Sequence, residues 1–485
     1  MATNPALAKR VRSGLGWSLA STVGNRLWSI VSNIILARIL VPDDYGVFAI
    51  AFLVLTLLQS VNECGVTVAV IRWAGDPTPI LGTAMVIAMG GSAILFSACF
   101  LGAATFAEVV HSPSAAPILR VLTLGILLDG MSSIPSALLA RQMRQKRRAL
   151  IDGIALVVAS VMSVVLATQG FGAWSLAWGT LAGNAVATAL LWSASPTRPR
   201  PAWDTGHARV LLRTGLPIAG ASLMVLAMLN VDYVTVSRLL GTRPLGFYVL
   251  AFNISSWLPS LISASVRKVS IPAFSQVDLD DEQRRRIFLQ SLRAIITAAV
   301  LIGLLVSALS SPIVRIMYGT KWESSIAPLR WLAVLGVIRV TLDFCYDYLI
   351  AHGASRAVLL SQAVWLAVLI PAIRIGAQVG GLTGVGIAHV TVGICIAIPA
   401  FFLALGTTGV QPKKVLNAVR LPAAATLCAV GVGVAFNAFI GSRSPWMFGG
   451  ILLAIVVYFI IAVQPAEARL VARRLHNALK GTRRA

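Results

Sequence analysis

The chain has 485 residues, of which 57% are hydrophobic and only 12% are charged, and its mean hydropathy is +0.84. A soluble domain carries about a quarter charged residues, so this composition excludes an array of water-exposed globular domains. The 40 Lys and Arg residues exceed the 17 Asp and Glu residues by 23. Most of this basic excess lies in short loops between apolar runs, where membrane topology accounts for it better than nucleic-acid binding does.

Apolar runs recur along the whole chain, and each is long enough to cross a bilayer core of ~30 Å. They are continuous rather than alternating, which excludes the strands of a membrane barrel. The sequence therefore predicts an all-α polytopic membrane protein with about 14 transmembrane helices. Hydropathy, Pro and Gly residues and charge place the spans at 14–40, 44–64, 80–108, 115–140, 149–169, 172–193, 210–238, 244–266, 287–309, 326–351, 357–378, 382–406, 418–440 and 446–463.

The distribution of Lys and Arg predicts the orientation of the spans. With the N-terminus inside, the inner segments carry 29 of the 40 basic residues and the outer loops carry 9. Residues near the end of a span are counted here with the adjacent loop, and the remaining two, Arg26 and Arg339, lie deep within spans. Cytoplasmic loops are enriched in Lys and Arg, so both termini are expected in the cytoplasm, with the chain multi-pass in the cytoplasmic (inner) membrane.

The sequence also contains an internal repeat. The segment 37–52 reads ARILVPDDYGVFAIAF, and 237–252 reads SRLLGTRPLGFYVLAF, with Arg, Leu, Gly and Ala-Phe matches at a constant offset of 200. A second match, at an offset of 210, aligns RVLTLGILLD at 120–129 with RWLAVLGVIR at 330–339. Spans 1–6 and 7–12 are therefore predicted to be two copies of one six-helix unit. An even number of spans in each copy makes the repeats parallel.

This repeat predicts the domain organisation. Residues 1–195 would form a first lobe and residues 196–409 a second lobe, followed by two further helices within 410–464 and a basic cytoplasmic tail at 465–485. Two bundles related in this way commonly enclose a central site and alternate its access by rocking against each other.

Polar residues within the first span follow helical spacing. Ser18, Thr22, Arg26, Ser29 and Asn33 are separated by three or four residues and share one helix face. We interpret this stripe as one wall of a substrate cavity, in which the Arg26 guanidinium would bind a diphosphate through its planar fork of donors. The alternative is that the small polar side chains hold neighbouring helices together.

A second set of ionisable residues lies within later spans. Arg339, Asp343 and Asp347 share one face of the tenth span, and the repeat aligns Arg339 with Asp129 of the fourth span. Asp232 lies in the seventh span. Ionisable residues at membrane depth are costly and normally face protein or a water-filled cavity, so these positions are predicted to line the cavity. Mutual neutralisation of Arg339 and Asp343 is the alternative, and Asp347 is the candidate for coupling to protons.

Motifs for catalysis, cofactors and metals are missing from the sequence. There is no G-x-x-x-x-G-K-[ST] phosphate-binding loop, no H-E-x-x-H, no Cys and His spacing typical of zinc sites and no nucleophile elbow. The five cysteines lie within apolar runs without paired spacing. The sequence therefore predicts no catalytic residues, no metal and no cofactor.

Three stretches of the chain carry a family resemblance. They are LARIL-x-P-x-x-YG-x-F-x-x-x-x-F across the first turn, VRKVSIPAFSQVDLDDEQRRRIF at 266–288 and YGTKWESSIAPLRWLAVLGVIR at 318–339, which contains a G-x-KW element. Together they resemble the polysaccharide flippases of the Wzx type, in the colanic-acid-exporter-like branch of the multidrug/oligosaccharidyl-lipid/polysaccharide exporter superfamily. The resemblance extends in order from residue 10 to about residue 460. Arg26 does not belong to the family pattern.

The resemblance implies fourteen helices in two lobes and translocation of undecaprenyl-diphosphate-linked oligosaccharide repeat units for export of an exopolysaccharide, O-antigen or capsule-type glycan. Its implied partners are the lipid-linked oligosaccharide and membrane lipid, with the polymerase and chain-length or export proteins as further candidates. We expect a monomer that binds no nucleic acid. Two alternatives remain, namely a membrane-embedded glycan-assembly enzyme (a polymerase or transferase) and a drug or cation antiporter of the same superfamily.

Overall fold

The computed structural model describes residues 23–62, 66–73, 75–142, 144–257, 281–440, 453 and 456–458. These residues form helices joined by short turns, and none of them lies in a β-strand. The helices are α1 (23–39), α2 (Pro42–Asn62), α3 (Val68–Arg72), α4 (Thr78–Val109), α5 (Ala115–Arg141), α6 (Gln145–Thr168), α7 (Ala173–Ala194), α8 (Thr205–Leu240), α9 (242–257), α10 (Asp281–Ala308), α11 (Ser310–Pro312), α12 (Ile326–Ala351), α13 (Ser355–Val392), α14 (Ile398–Gly406) and α15 (Pro412–Ile440).

The helices confirm the predicted class of fold, a polytopic all-α membrane protein. Eight segments of the described chain are apolar enough and long enough to cross a bilayer, within 42–60, 78–109, 115–141, 146–168, 282–308, 320–351, 355–406 and 412–432. The number fourteen stays a prediction, and the predicted span at 446–463 lies largely outside the described residues.

Two short non-α segments follow α11, a π-helical turn at Ile313–Tyr318 and a 3₁₀ turn at Thr320–Ser325. Further along, α13 reverses direction between the predicted eleventh and twelfth spans. Gly381 adopts a positive φ of 54°, which side chains with a Cβ atom rarely tolerate. The turn is so tight that a Cβ atom on Gly384 would overlap the carbonyl oxygen of Gly376. A glycine at each of these positions therefore allows two spans to follow each other with almost no loop.

Contacts divide the chain into two units. Unit 1 comprises 1–249 together with Arg315–Glu323, and unit 2 comprises Leu250–Val314 and 324–485. The lobe boundaries expected from the repeat, after residues 195 and 409, stay predictions, because a division by contacts does not test the repeat itself.

Small residues bring the helices of unit 1 close together. A Cβ atom on Gly130 of α5 would overlap the Ser92 side chain of α4, and one on Gly179 of α7 would overlap the Ser163 side chain of α6. Close approach of this kind is the usual way in which membrane helices associate, because lipid provides no hydrophobic driving force between them. In unit 2, Phe288 of α10 stacks on Phe344 of α12 with ring centroids 5.3 Å apart.

Asp204 begins α8, at the predicted cytoplasmic side. Its side chain accepts a hydrogen bond at 2.7 Å from the backbone N–H of His207, one of the donors that a helix N-terminus leaves without an intrahelical partner. This bond lowers the pKa of the Asp204 carboxyl group, because it stabilises the charged form. The cap also explains why α8 begins at Thr205, five residues before the start of the predicted span.

Candidate functional site

Unit 1 contains a polar pocket of about 380 Å³ between its helices. Its lining comes from α2, α5, α6 and α7, together with the first residue of α3 and the residue before it. The polar lining residues are Gln59, Thr67, Asp129, Ser132, Ser133, Ser136, Arg148, Asp152, Asn184 and Thr188. Most of these side chains would be costly to expose to lipid, and the pocket brings them together between the helices.

Helical spacing explains how the pocket is assembled. On α5, Asp129, Ser132, Ser133 and Ser136 recur every three or four residues and share one face. Some of the hydroxyl groups form hydrogen bonds within their own helices. Ser133 donates to the carbonyl of Gly130 at 2.9 Å. The carboxylates, the amides and the guanidinium offer the donors and acceptors that a saccharide or a hydrated cation requires.

Asp129 is the only pocket residue among the predicted site residues. Arg148 and Asp152 were not predicted as site residues, although they lie four residues apart on α6 and form a recognisable oppositely charged pair. Gln59 and Asn184 were not predicted either. Neutral amides give no charge signal in an apolar span, so their spacing from other polar residues was the signal available.

The predicted stripe on α1 is only partly described, because Ser18 and Thr22 lie outside the described residues. Arg26 is half-buried. The Asn33 side chain donates to the Ser29 carbonyl at 2.8 Å, and the Asn33 carbonyl accepts a bond from the Tyr45 hydroxyl at 3.3 Å. In this structure Asn33 therefore ties α1 to α2, and its contact with substrate stays a prediction.

Asp232 lies on α8 and only 1% of its surface is exposed. One carboxylate oxygen accepts a hydrogen bond from the Tyr248 hydroxyl of α9 at 2.7 Å. The other accepts a bond from the backbone N–H of Tyr233 at 3.0 Å. These bonds satisfy the buried carboxylate, as burial of a charged group requires. A role for Asp232 in binding substrate stays a prediction and would require this arrangement to open.

The remaining predicted residues lie on α12 in unit 2. The Arg339 guanidinium carbon lies 5.1 Å from the ring centroid of Phe252, which is within the range of a cation–π interaction. Asp343 is exposed, whereas Asp347 is only 9% exposed. The stripe on α12 therefore runs from a half-buried cation through an exposed carboxylate to a buried one.

The predicted site residues thus belong to two different units. Arg26, Asn33, Asp129 and Asp232 lie in unit 1. Arg339, Asp343 and Asp347 lie in unit 2. Their joint use in one substrate site stays a prediction.

The helical membrane fold and the polar pocket define the class of protein, a multi-pass membrane protein with a polar pocket among its helices. A family model described as "Polysaccharide biosynthesis protein" matches residues 35–327, which is more than half of the chain. The chain therefore belongs to this family, which confirms the resemblance found in its sequence motifs.

Individual relatives cover most of the chain. It is 26% identical to the lipopolysaccharide biosynthesis protein WzxC of Escherichia coli (strain K12), over 82% of this chain and 81% of the relative. It is also 26% identical to the succinoglycan biosynthesis transport protein ExoT of Rhizobium meliloti (strain 1021), over 80% of this chain and 78% of the relative. Among solved structures, the lipid II flippase MurJ in an inward closed conformation matches 94% of this chain and 98% of its own, with a TM-score of 0.76 at 16% identity. That last likeness shows the fold.

Proposed function

We propose that this protein translocates undecaprenyl-diphosphate-linked oligosaccharide repeat units across the cytoplasmic membrane for export of a polysaccharide. The observation that carries the proposal is similarity along about four fifths of the chain to two proteins of polysaccharide biosynthesis, one of them named as a transport protein. The fold supports it, because the structure named as a lipid II flippase aligns with nearly the whole chain.

Alternating access would move the polar headgroup past the bilayer core. Arg26 and Arg339 would bind the diphosphate, because guanidinium forks match phosphate oxygens. Asn33, Asp129, Asp232 and Asp343 would hydrogen-bond the saccharide hydroxyl groups, with the pocket around Asp129 as part of the saccharide surface. Membrane lipid would surround the spans. The polymerase and the chain-length or export proteins are candidate partners, and we propose that the chain acts as a monomer.

The relatives favour transport over the two alternatives. A glycan-assembly polymerase or transferase is disfavoured because one of the relatives that matches most of the chain is named as a biosynthesis transport protein. A drug or cation antiporter is disfavoured because the family model and both of these relatives concern polysaccharide biosynthesis.

The proposed substrate can be identified by depleting the protein in its own host. We expect a lipid-linked oligosaccharide to accumulate and the surface polysaccharide to fall by at least tenfold. Mass spectrometry of the lipid extract should show an undecaprenyl diphosphate carrying a complete repeat unit. Accumulation of polymerised glycan on the inner side, or of no lipid-linked saccharide, would contradict the proposal.

The predicted topology places the loop after α7 in the cytoplasm. A cysteine at Ser195, in a variant without the five natural cysteines, should react with a membrane-impermeant maleimide only after the membrane is permeabilised. A cysteine at His111, between α4 and α5, should react in intact spheroplasts and serves as the opposite control. Labelling of the Ser195 position from outside would overturn the orientation.

A further inference from the structure

The turns of the two predicted copies contact each other reciprocally within unit 1. A Cβ atom on Gly46 would overlap the carbonyl oxygen of Thr242, and a Cβ atom on Gly246 would overlap the carbonyl oxygen of Pro42. At the repeat offset of 200, Gly46 aligns with Gly246 and Pro42 aligns with Thr242. The same contact is therefore made twice with the partners exchanged, as a two-fold relation between the copies requires.

Opposite charges meet at the next pair of aligned positions. Asp43 aligns with Arg243, and the Arg243 Nε lies 3.9 Å from a carboxylate oxygen of Asp43. Both side chains are more than half exposed. An ion pair of this kind is weak and readily replaced by water, so it can form and break at little cost.

The G-x-KW element of the second copy holds the end of α1 in the first copy. The Lys321 ammonium donates to the carbonyls of Arg38 at 2.9 Å and Leu40 at 2.6 Å. The Trp322 indole N–H donates to the carbonyl of Ala37 at 2.8 Å. A helix leaves its last four carbonyl groups without intrahelical partners, and this element supplies donors and a positive charge to them.

Aromatic contacts fix the indole between the two copies. The Trp322 ring meets Tyr45 of α2 edge-on, with centroids 5.2 Å apart, and meets Phe247 of α9 edge-on at 6.0 Å. In return, Arg38 donates through Nε to the carbonyl of Met317 at 2.8 Å.

A second exchange of the same kind joins the end of α8 to the loop after α4. The Ser237 hydroxyl donates to the carbonyl of Val110 at 3.1 Å. His111 Nδ1 lies 3.0 Å from the carbonyl of Arg238, to which it can donate. Ala37 and Arg38, the α1 residues engaged by the second copy, align with Ser237 and Arg238. Each copy therefore presents the end of its first helix to a loop of the other copy.

We propose that these contacts form an outer clamp, comprising residues 37–46, 110–111, 237–246 and 316–322, which closes the predicted outer end of the substrate path and must open for the saccharide to leave. The proposal rests on the proposed alternating-access function. All the loops that the clamp joins fall on the predicted outer side. Around the buried Trp322 indole, the clamp is held by hydrogen bonds to backbone carbonyls at helix ends and by one exposed ion pair. Water can replace these polar contacts when the segments separate, as it could not replace the contacts of a wholly apolar interface.

Covalent closure tests whether the clamp must open. Asp43→Cys and Arg243→Cys would be combined in a variant without the five natural cysteines, reconstituted in proteoliposomes with the lipid-linked saccharide extracted from depleted cells. The atoms of the ion pair lie several bonds beyond their Cβ atoms, and a direct disulfide needs Cβ atoms about 4 Å apart, so a cleavable bifunctional thiol reagent would join the two cysteines. We expect transport to fall at least tenfold on cross-linking, and cleavage of the cross-link by reduction to restore it. The matched control is the pair Arg315→Cys and Glu323→Cys, which replaces an exposed ion pair at 3.0 Å that lies within the second copy and outside the clamp residues. Cross-linking of this pair should leave transport unchanged.

The outcomes separate this proposal from the proposed function. Transport that persists after complete cross-linking of the 43–243 pair would overturn the clamp alone. A 43–243 pair that fails to cross-link, while the 315–323 pair does so, would also overturn it. Absence of transport by the unmodified chain would instead contradict the proposed function.

A glycine variant tests the packing of the clamp. Gly46→Ala adds a Cβ atom that would overlap the Thr242 carbonyl in the closed clamp, so cross-linking of the 43–243 pair should slow at least tenfold in this background. Gly102→Ala of α4 is the control, because its Cβ atom would meet nothing within 4 Å. Unchanged cross-linking in a well-folded Gly46→Ala protein would overturn the proposed packing. If that variant does not accumulate, transport by the cross-linked 43–243 pair decides the question independently.

Discussion

Replacing Arg26 or Arg339 by alanine is expected to abolish export of the glycan while the amount of protein in the membrane stays near normal. Each arginine is half-buried within a predicted span. Retaining a guanidinium at such depth is costly, and such residues commonly mark a substrate path. Replacing an arginine that binds the diphosphate should weaken binding of the substrate without opening a cavity in the helix packing. The measurement is surface polysaccharide per cell, normalised to membrane abundance of each variant.

The control for both variants is Arg213→Ala, because Arg213 is exposed on α8 and has no assigned role in binding. It should leave export within about twofold of the unmodified protein. Arg26→Lys and Arg339→Lys should restore part of the activity at most, because lysine keeps the charge and loses the bidentate fork. Normal export by both alanine variants would place the diphosphate site elsewhere in the protein.

The positions of the helices were largely predictable, because the hydropathy of a segment and the Pro and Gly residues that end a helix act locally along the chain. The fourth span, predicted at 115–140, corresponds to α5 at Ala115–Arg141. The ninth span, predicted to begin at residue 287, corresponds to α10, which begins at Asp281. Hydropathy misses the charged first turn of α10, because that turn extends beyond the apolar part of the helix.

The contacts between distant segments were not predictable in the same way. The sequence identified the G-x-KW element only as part of a family resemblance, and its bonds to the end of α1 join residues about 280 positions apart. The repeat did align Gly46 with Gly246, and that alignment predicts that the two glycines occupy equivalent positions in the two copies. It does not reveal that each glycine packs against a carbonyl of the other copy, because a contact across a two-fold axis leaves no spacing pattern along the chain.

The residues of the candidate site were likewise only partly predictable from the sequence. Asp129 was predicted because the repeat aligns it with Arg339 and because it is an ionisable residue within an apolar span, and the structure adds Asp152 and Asn184 to the same pocket. A sequence pattern places residues on one helix face but does not specify which faces of three helices converge. The pocket is therefore a result of packing among α5, α6 and α7, where small residues such as Gly179 permit close approach.

Coupling to protons is expected to depend on Asp347. This carboxyl group lies on α12, two turns beyond Arg339, and is 9% exposed in the described structure. Protonation would change the charge of the α12 stripe by one unit and so shift the balance between two conformations that differ in its surroundings. We expect an ion gradient or consumption of the exported glycan to drive net movement.

The measurement is transport in proteoliposomes under an imposed pH gradient. One pH unit corresponds to about 1.4 kcal/mol per proton, so obligatory coupling to one proton should shift the final distribution of the lipid-linked saccharide about tenfold per unit. Asp347→Asn should abolish this dependence. Glu282→Gln is the control, because Glu282 is exposed at the start of α10, and it should keep the gradient response. If transport by the unmodified protein ignores the gradient, or if Asp347→Asn responds fully to it, the proton switch is wrong. Flipping driven by downstream consumption of the glycan then accounts for net export, since a passive carrier needs only a sink for its product on the outer side.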